Sequence, residues 1–192
     1  MIDLIIKKIR SLVEDWAKSD TETFIFTSSS IFTLAETHVA SITGITKNGV
    51  AVSSDDYSWD SDTNQLTILT GSTQETLTAN DIIIISYTYN KYSDTELKQY
   101  LTASLVWVSI VSNCERDWEL ETDGIYPTPS NRDCDLISIV ASILINPSYS
   151  EYRLPNIVVK YPRTMSKEKR IQNLIKRYLF SGEGYSTVLE WN

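Results

Sequence analysis

The sequence predicts an α+β protein in which a helical bundle is interrupted by an inserted antiparallel β-sandwich or barrel. Apolar residues recur with the helical period over residues 2–18 and again from Ser93 onward. Between Thr21 and Lys91 that period is absent, and β-branched and aromatic residues alternate with Ser, Thr and Asp. Asn, Asp and Gly punctuate the same stretch every eight to twelve positions or so, as short antiparallel strands require. Residues 1–20 and 92–192 are therefore assigned to one helical unit, and 21–91 to an inserted antiparallel β domain.

The first helix covers residues 2–18, with Ile2, Ile5, Ile9, Leu12, Val13 and Trp16 facing inward and Lys7, Lys8, Arg10 and Glu14 outward. Strands are expected at Phe24–Phe26, Ile31–Leu34, Ser41–Lys47, Val50–Val52, Tyr57–Trp59, Gln65–Thr70 and Asp81–Tyr89. Asn48-Gly49 joins two of them as a type I′ hairpin, because both central residues of that turn need φ > 0. Asp60-Ser-Asp-Thr-Asn64 supplies a second turn through side chains that bond their own backbone. The run Ile82–Ile85 is apolar on both faces, which makes its strand a central one.

Ser93-x-x-Glu96 reads as a capping box that opens a long helix to Asn113. Leu97, Leu101, Leu105, Val108 and Val111 draw one stripe along it, widened by Tyr100 and Trp107, and the remaining elements are expected to pack on this helix. Glu115–Pro129 reads as an irregular loop. Ser130 caps a third helix with Leu136, Ile137, Val140, Ile143 and Leu144 inward, and Pro147 stops it. Pro155 and Pro162 bracket an extended arm that would lie across a neighbour. Ser166–Phe180 is the last helix, with Ile171, Leu174, Ile175, Tyr178 and Leu179 inward and its basic residues outward. Gly182 ends it, and the tail Gly184–Asn192 follows.

With 192 residues, 42% of them hydrophobic and 22% charged, the chain belongs to the folded globular class. The first residues interleave charge with Ile and Leu, unlike an export signal, and no run reaches the roughly 18 apolar residues of a membrane-spanning helix. The net charge of −8 is unevenly spread. Nine acids face only Lys47 and Lys91 between Asp20 and Tyr92, whereas seven bases face only Glu168 between Lys160 and Arg177. A basic helix face of this kind is a solvated surface, a contact for an acidic protein, or a footprint on phosphate backbone.

Enzyme signatures are missing. The single histidine, His38, has no Gly-x-Ser-x-Gly or cysteine partner near it, and no phosphate-cradling glycine loop occurs. Cys114 and Cys134 lie twenty residues apart without a CxxC, which argues for two free thiols over a disulfide or a zinc site. Asp60-x-Asp62-x-Asn64 starts like a calcium loop but has Gln65 where glycine is needed and Gly71 where the bidentate glutamate belongs, so a turn is the better reading. Asp55 and Asp56 would point to opposite faces of a strand and do not make a carboxylate pair. No catalytic residue, cofactor or metal is expected. The tail carries Tyr185, Val188, Leu189 and Trp191, apolar residues that a lone subunit would leave wet.

The stretch FTL…SITGITKNGVAVSSDDYSWD…LTIL…LTANDIIIISYTY resembles small sheet modules of tailed-bacteriophage virion proteins. YSDTELKQYLTASLVWVS, IYPTPSNRDCDLISIVASILINP and RLPNIVVKYPR are similar to the helical core of phage head-to-tail connector proteins, also called adaptor, head-completion or neck proteins. The likeness covers nearly the whole chain and rests on helix order and dipeptides; the large sheet insertion departs from the smallest connectors. It implies a connector-type helical bundle without enzymatic activity, located at the head-tail interface of the virion and made in the host cytoplasm. It also implies a homo-oligomeric ring, expected to be twelve-fold, that binds the portal protein and further neck or tail proteins and extends the DNA channel. Lys167, Lys169, Arg170, Lys176 and Arg177 would then meet the portal or packaged DNA, and Tyr185, Val188, Leu189 and Trp191 would dock into the portal. The alternative is a tail, fibre or baseplate component with a carbohydrate-binding or adhesion module, for which Tyr57 and Trp59 are the aromatic candidates.

Overall fold

The structure, a computed structural model, describes residues 1–69, 76–155, 157–180 and 188–189. Among the described residues it is an α+β fold of four helices and several small sheets. The chain divides into two compact units, Met1–Asp15 with Asp94–Asn192, and Trp16–Ser93.

The sheet unit is a sandwich. Strands β1 (Lys18–Ile25), β3 (Val39–Lys47), β4 (Val50–Ala51) and β7 (Ile82–Tyr89) form one antiparallel sheet in the order β1-β7-β3-β4, which makes β7 an inner strand as its apolar run requires. Strands β2 (Ile31–Thr33), β5 (Tyr57–Asp60) and β6 (Gln65–Ile68) form the second, in the order β2-β6-β5. Ile45, Ile83, Ile85 and Tyr87 from the first sheet meet Phe32, Leu34, Leu66 and Ile68 from the second in one core. Each such aliphatic side chain taken fully out of water contributes about 1.5–3 kcal/mol before entropy is subtracted.

Because directly paired residues share a face, the register identifies what points away from this core. On the first sheet the outward positions are Ser19, Thr21, Thr23 and Ile25 of β1, opposite Thr88, Ser86, Ile84 and Ile82 of β7. The face continues across β3 as Ser41, Gly44 and Thr46, with Ala51 of β4 beyond. Register shifts at Ala40 and Thr43 keep Ile42 and Ile45 inward along the same strand, as single-residue bulges do. On the second sheet Ile31, Thr67 and Ser58 share the outward face with Thr33, Gln65 and Asp60.

Asn48 (φ 50) and Gly49 (φ 84) make the expected hairpin turn. Asn48 also binds across to β7, its Oδ1 accepting from the Ile82 amide at 2.9 Å and its Nδ2 donating to Asp81 Oδ1 at 2.7 Å. In the Asp60–Asn64 turn, the Asp60 carboxylate accepts from the Asp62 amide and the Thr63 hydroxyl at 2.9 and 2.8 Å.

The helical unit contains α1 (Ile2–Leu12), α2 (Asp94–Val111), α3 (Asn131–Ile145) and α4 (Lys167–Phe180). Every residue from Leu136 to Ile143 is buried, so α3, packed on the other three helices, is the enclosed one and α2 is not. Its serines tolerate this because Ser138 and Ser142 donate to the carbonyls of Cys134 and Ser138, at 2.6 and 2.8 Å. Ser130 caps α3 as expected, accepting from the Asp133 amide while Asp133 accepts from the Ser130 amide.

Several element boundaries differ from the sequence reading. Helix α1 stops at Leu12, Glu14 turns to φ 56, and Trp16 is exposed outside the helix instead of facing its core. Strand β1 starts at Lys18, six residues before the expected Phe24, because its polar first residues pair with β7 all the same, with Ser19, Thr21 and Thr23 outward. Asp55 and Asp56 lie in a 3-10 turn, Ser54–Asp56. The loop after α2 holds a short hairpin, β8 (Glu119–Leu120) with β9 (Ile125–Tyr126). The expected arm is instead a hairpin within the chain, β10 (Glu151–Leu154) with β11 (Ile157–Lys160), whose backbone groups find their partners locally. Thr70, at the end of one expected strand, and Gly182, the expected end of α4, lie outside the described residues.

Arg10 closes the gap that the sheet unit leaves in the helical unit. Its guanidinium holds the buried Asp15 carboxylate through Nη1 and Asp94 Oδ1 through Nη2 at 2.7 Å, so the last residue before the insertion and the first after it meet on one side chain.

Candidate interaction surface of the helical unit

Helix α4 carries most of the positive charge expected to make contacts, and its period sorts those residues. Ile171, Leu174 and Ile175 are buried, whereas Lys167, Lys169, Lys176 and Arg177 are exposed. Arg170 does not belong with them. It is 2% exposed, one turn before Leu174 and beside Ile171 on the inward stripe. Its Nη1 donates to the carbonyls of Pro147 and Tyr149 at 2.8 and 2.7 Å, and its Nη2 to those of Pro162 and Arg163, both at 3.1 Å. The Tyr161 ring lies 5.8 Å from the guanidinium carbon. A guanidinium with four carbonyl acceptors is a clasp for two loops, and the outward assignment of Arg170 is corrected.

Around this clasp Tyr152 and Tyr161 are held protonated. Burial pushes the Tyr152 hydroxyl up to about 12, and pushes Tyr161 further. At the other end of α4, the Tyr178 hydroxyl donates to Asp133 Oδ1 at 2.8 Å, and burial together with that carboxylate raises its pKa strongly. The capping carboxylate of α3 thereby also anchors α4, the helix from which the exposed lysines project.

The tail residues do not hang free as expected where they are described. Val188 and Leu189, β12, pair in parallel with Val158 and Val159 of β11, because the edge of a two-stranded hairpin offers unpaired amides and carbonyls to the chain's own end. Tyr185 and Trp191 lie outside the described residues.

The surface that sequence reasoning missed is on α2. Leu97, Leu101, Leu105 and Val108 are buried on one side, yet Val106 and Ile110 on another are 52% and 65% exposed, with Ala103 and Trp107 half-buried beside them. The signal was present as an apolar residue at nearly every position from Ala103 to Val111, too many for a single stripe.

No protein-family model matches this chain, and no curated protein does. The surfaces are therefore read from their chemistry. Among the described residues no three His, Cys, Asp or Glu side chains gather as a metal site, and no helix is long and apolar enough to cross a membrane. Cys114 and Cys134 are free thiols, exposed and buried respectively. Tyr57 and Trp59, the candidates for a sugar-binding face, instead pack half-buried against the sandwich core, since the pairing of Trp59 with Leu66 and Tyr57 with Ile68 places them inward. What remains is an apolar strip on α2 and a basic face on α4, both suited to contacts with macromolecules.

Proposed function

We propose that this protein is a structural subunit of a tailed-bacteriophage head-to-tail connector, a ring that joins the portal to the tail around the DNA channel. The observation that carries the reading is the second apolar face of α2. A helix that is apolar on two sides is satisfied only when both are covered, and the chain's own helices cover one. A neighbouring copy applied to Val106 and Ile110 completes the burial, and repetition of that contact around an axis closes a ring. The exposed Lys167, Lys169 and Lys176 give the same unit a positive face toward an acidic neighbour or packaged DNA. The resemblance of the α2, α3 and β10–β11 stretches to connector proteins agrees with a non-enzymatic role.

Negative-stain imaging of the purified full chain tests this. Closed rings with an axial opening are expected, and the double change Val106→Glu and Ile110→Glu should abolish them while leaving the far-UV circular dichroism unchanged. Intact rings from that variant would remove α2 as the joining surface and with it the main support for the reading.

A further inference from the structure

The sheet unit is acidic, with nine carboxylates against three lysines between Trp16 and Ser93. Its outward sheet faces are not. Every outward position of the β1-β7-β3-β4 sheet is Ser, Thr, Gly, Ala or Ile, although a well-solvated protein surface as a whole carries about a quarter to a third charged residues. The hydroxyls on it satisfy one another across strands, Thr21 with Ser86 at 3.1 Å and Ser41 with Thr88 at 2.8 Å. The opposite face, on β2-β6-β5, has one charge, Asp60, and its two oxygens are taken up in its own turn.

The described acids are disposed elsewhere. Asp20 and Glu22 occupy the other register of β1, opposite Tyr87 and Ile85, and Glu22 accepts from the Tyr87 hydroxyl. Asp81 is bound by Asn48 and the Thr78 amide, Glu36 lies in the loop between β2 and β3, and Asp55, Asp56 and Asp62 sit in turns.

We propose that adjacent copies of this chain pack their sheet units side by side, the outward face of the β1-β7-β3-β4 sheet of one copy lying on the outward face of the β2-β6-β5 sheet of the next. Two copies of an acidic unit repel wherever carboxylates face each other, so contact between copies must run through surface cleared of charge. This unit has two such faces, back to back. Pairing unlike faces uses both and keeps Asp60 away from its own counterpart. Pairing like faces would oppose Asp60 to Asp60 or leave one neutral face bare. The smaller β2-β6-β5 sheet limits the contact, and three strands at about 4.8 Å spacing and some four residues of length give a footprint of about 200 Å² per copy. The total of about 400 Å² is far below the roughly 1,200–2,000 Å² of free-standing complexes. Such a contact forms when something else already holds the copies together, so the inference rests on the ring reading.

Cysteine cross-linking of the full chain in a Cys114→Ser background tests it, since Cys134 is buried. Thr21→Cys marks one face and Ser58→Cys the other. Under mild oxidation the doubly marked chain should give a ladder of covalent oligomers, and a mixture of the two singly marked chains should give dimers. Dimers from Thr21→Cys alone would overturn the pairing of unlike faces. A native mass that shows rings without cross-links would overturn the face contact and leave the ring standing. A monomeric native mass would overturn both.

Discussion

Arg170 and Asp81 show how single side chains hold loops that have no secondary structure of their own. Removing the Arg170 guanidinium takes the donor from the Pro147, Tyr149 and Arg163 carbonyls and one of two from that of Pro162, which also accepts from the Met165 amide, and losing a buried charged partner costs about 3 kcal/mol or more. Arg170→Ala is expected to lose stability by about that amount in denaturant unfolding, and Arg170→Lys to recover little, because one ammonium cannot span both loops. Asp81 is the corresponding residue of the sheet unit. The Thr78 amide and the Asn48 side chain, with Lys47 nearby, hold its carboxyl below the ordinary 3.8. A lowered native pKa adds stability above the ordinary value and loses it as pH falls through the lowered one. The melting temperature of Asp81→Asn should therefore fall less than that of the unaltered protein between pH 5 and pH 3. An equal fall would assign the acid sensitivity elsewhere. Arg170 was legible by position, since it falls on the inward stripe with Leu174, but its charge argued the other way. The link from Asp81 to Asn48 was not legible, because it depends on which strands pair.

At the scale of elements, the local signals served best where they were strongest. The Asn48-Gly49 turn, the Ser130 cap, the apolar strand β7 and the inward stripes of α1, α2 and α4 all follow from spacing and turn chemistry. What failed has a common cause. A strand whose outward side chains are Ser and Thr, such as β1, carries no apolar alternation, so its first six residues do not read as strand. Strands β10, β11 and β12 exist because they pair with one another, and a stretch read alone between two prolines has no visible partner. Helix α3 has the spacing of one more amphipathic helix, although the absence of charge from Leu136 to Ile145 marks it as enclosed. The exposed strip on α2 was read as a widening of its buried stripe, because periodicity reports an apolar face and not what covers it.

For the whole molecule, the discontinuous helical unit is the principal architectural fact. Since Asp15 and Asp94 share the Arg10 guanidinium, the ends of the insertion are close enough for a short linker to replace Trp16–Ser93. The shortened protein is expected to remain soluble and helical with a cooperative thermal transition. A non-cooperative melt would mean that the sheet unit is needed for the helices to fold. The proposed assembly makes a stronger demand, because a ring is one closed species whereas adhesive surfaces without closure give a distribution. Native mass spectrometry of the full chain over a range of concentrations tests that demand most directly. A single discrete multiple of the subunit mass, twelve for the expected ring, is the predicted result. A monomer at every concentration, or an open-ended series of oligomers, would contradict it.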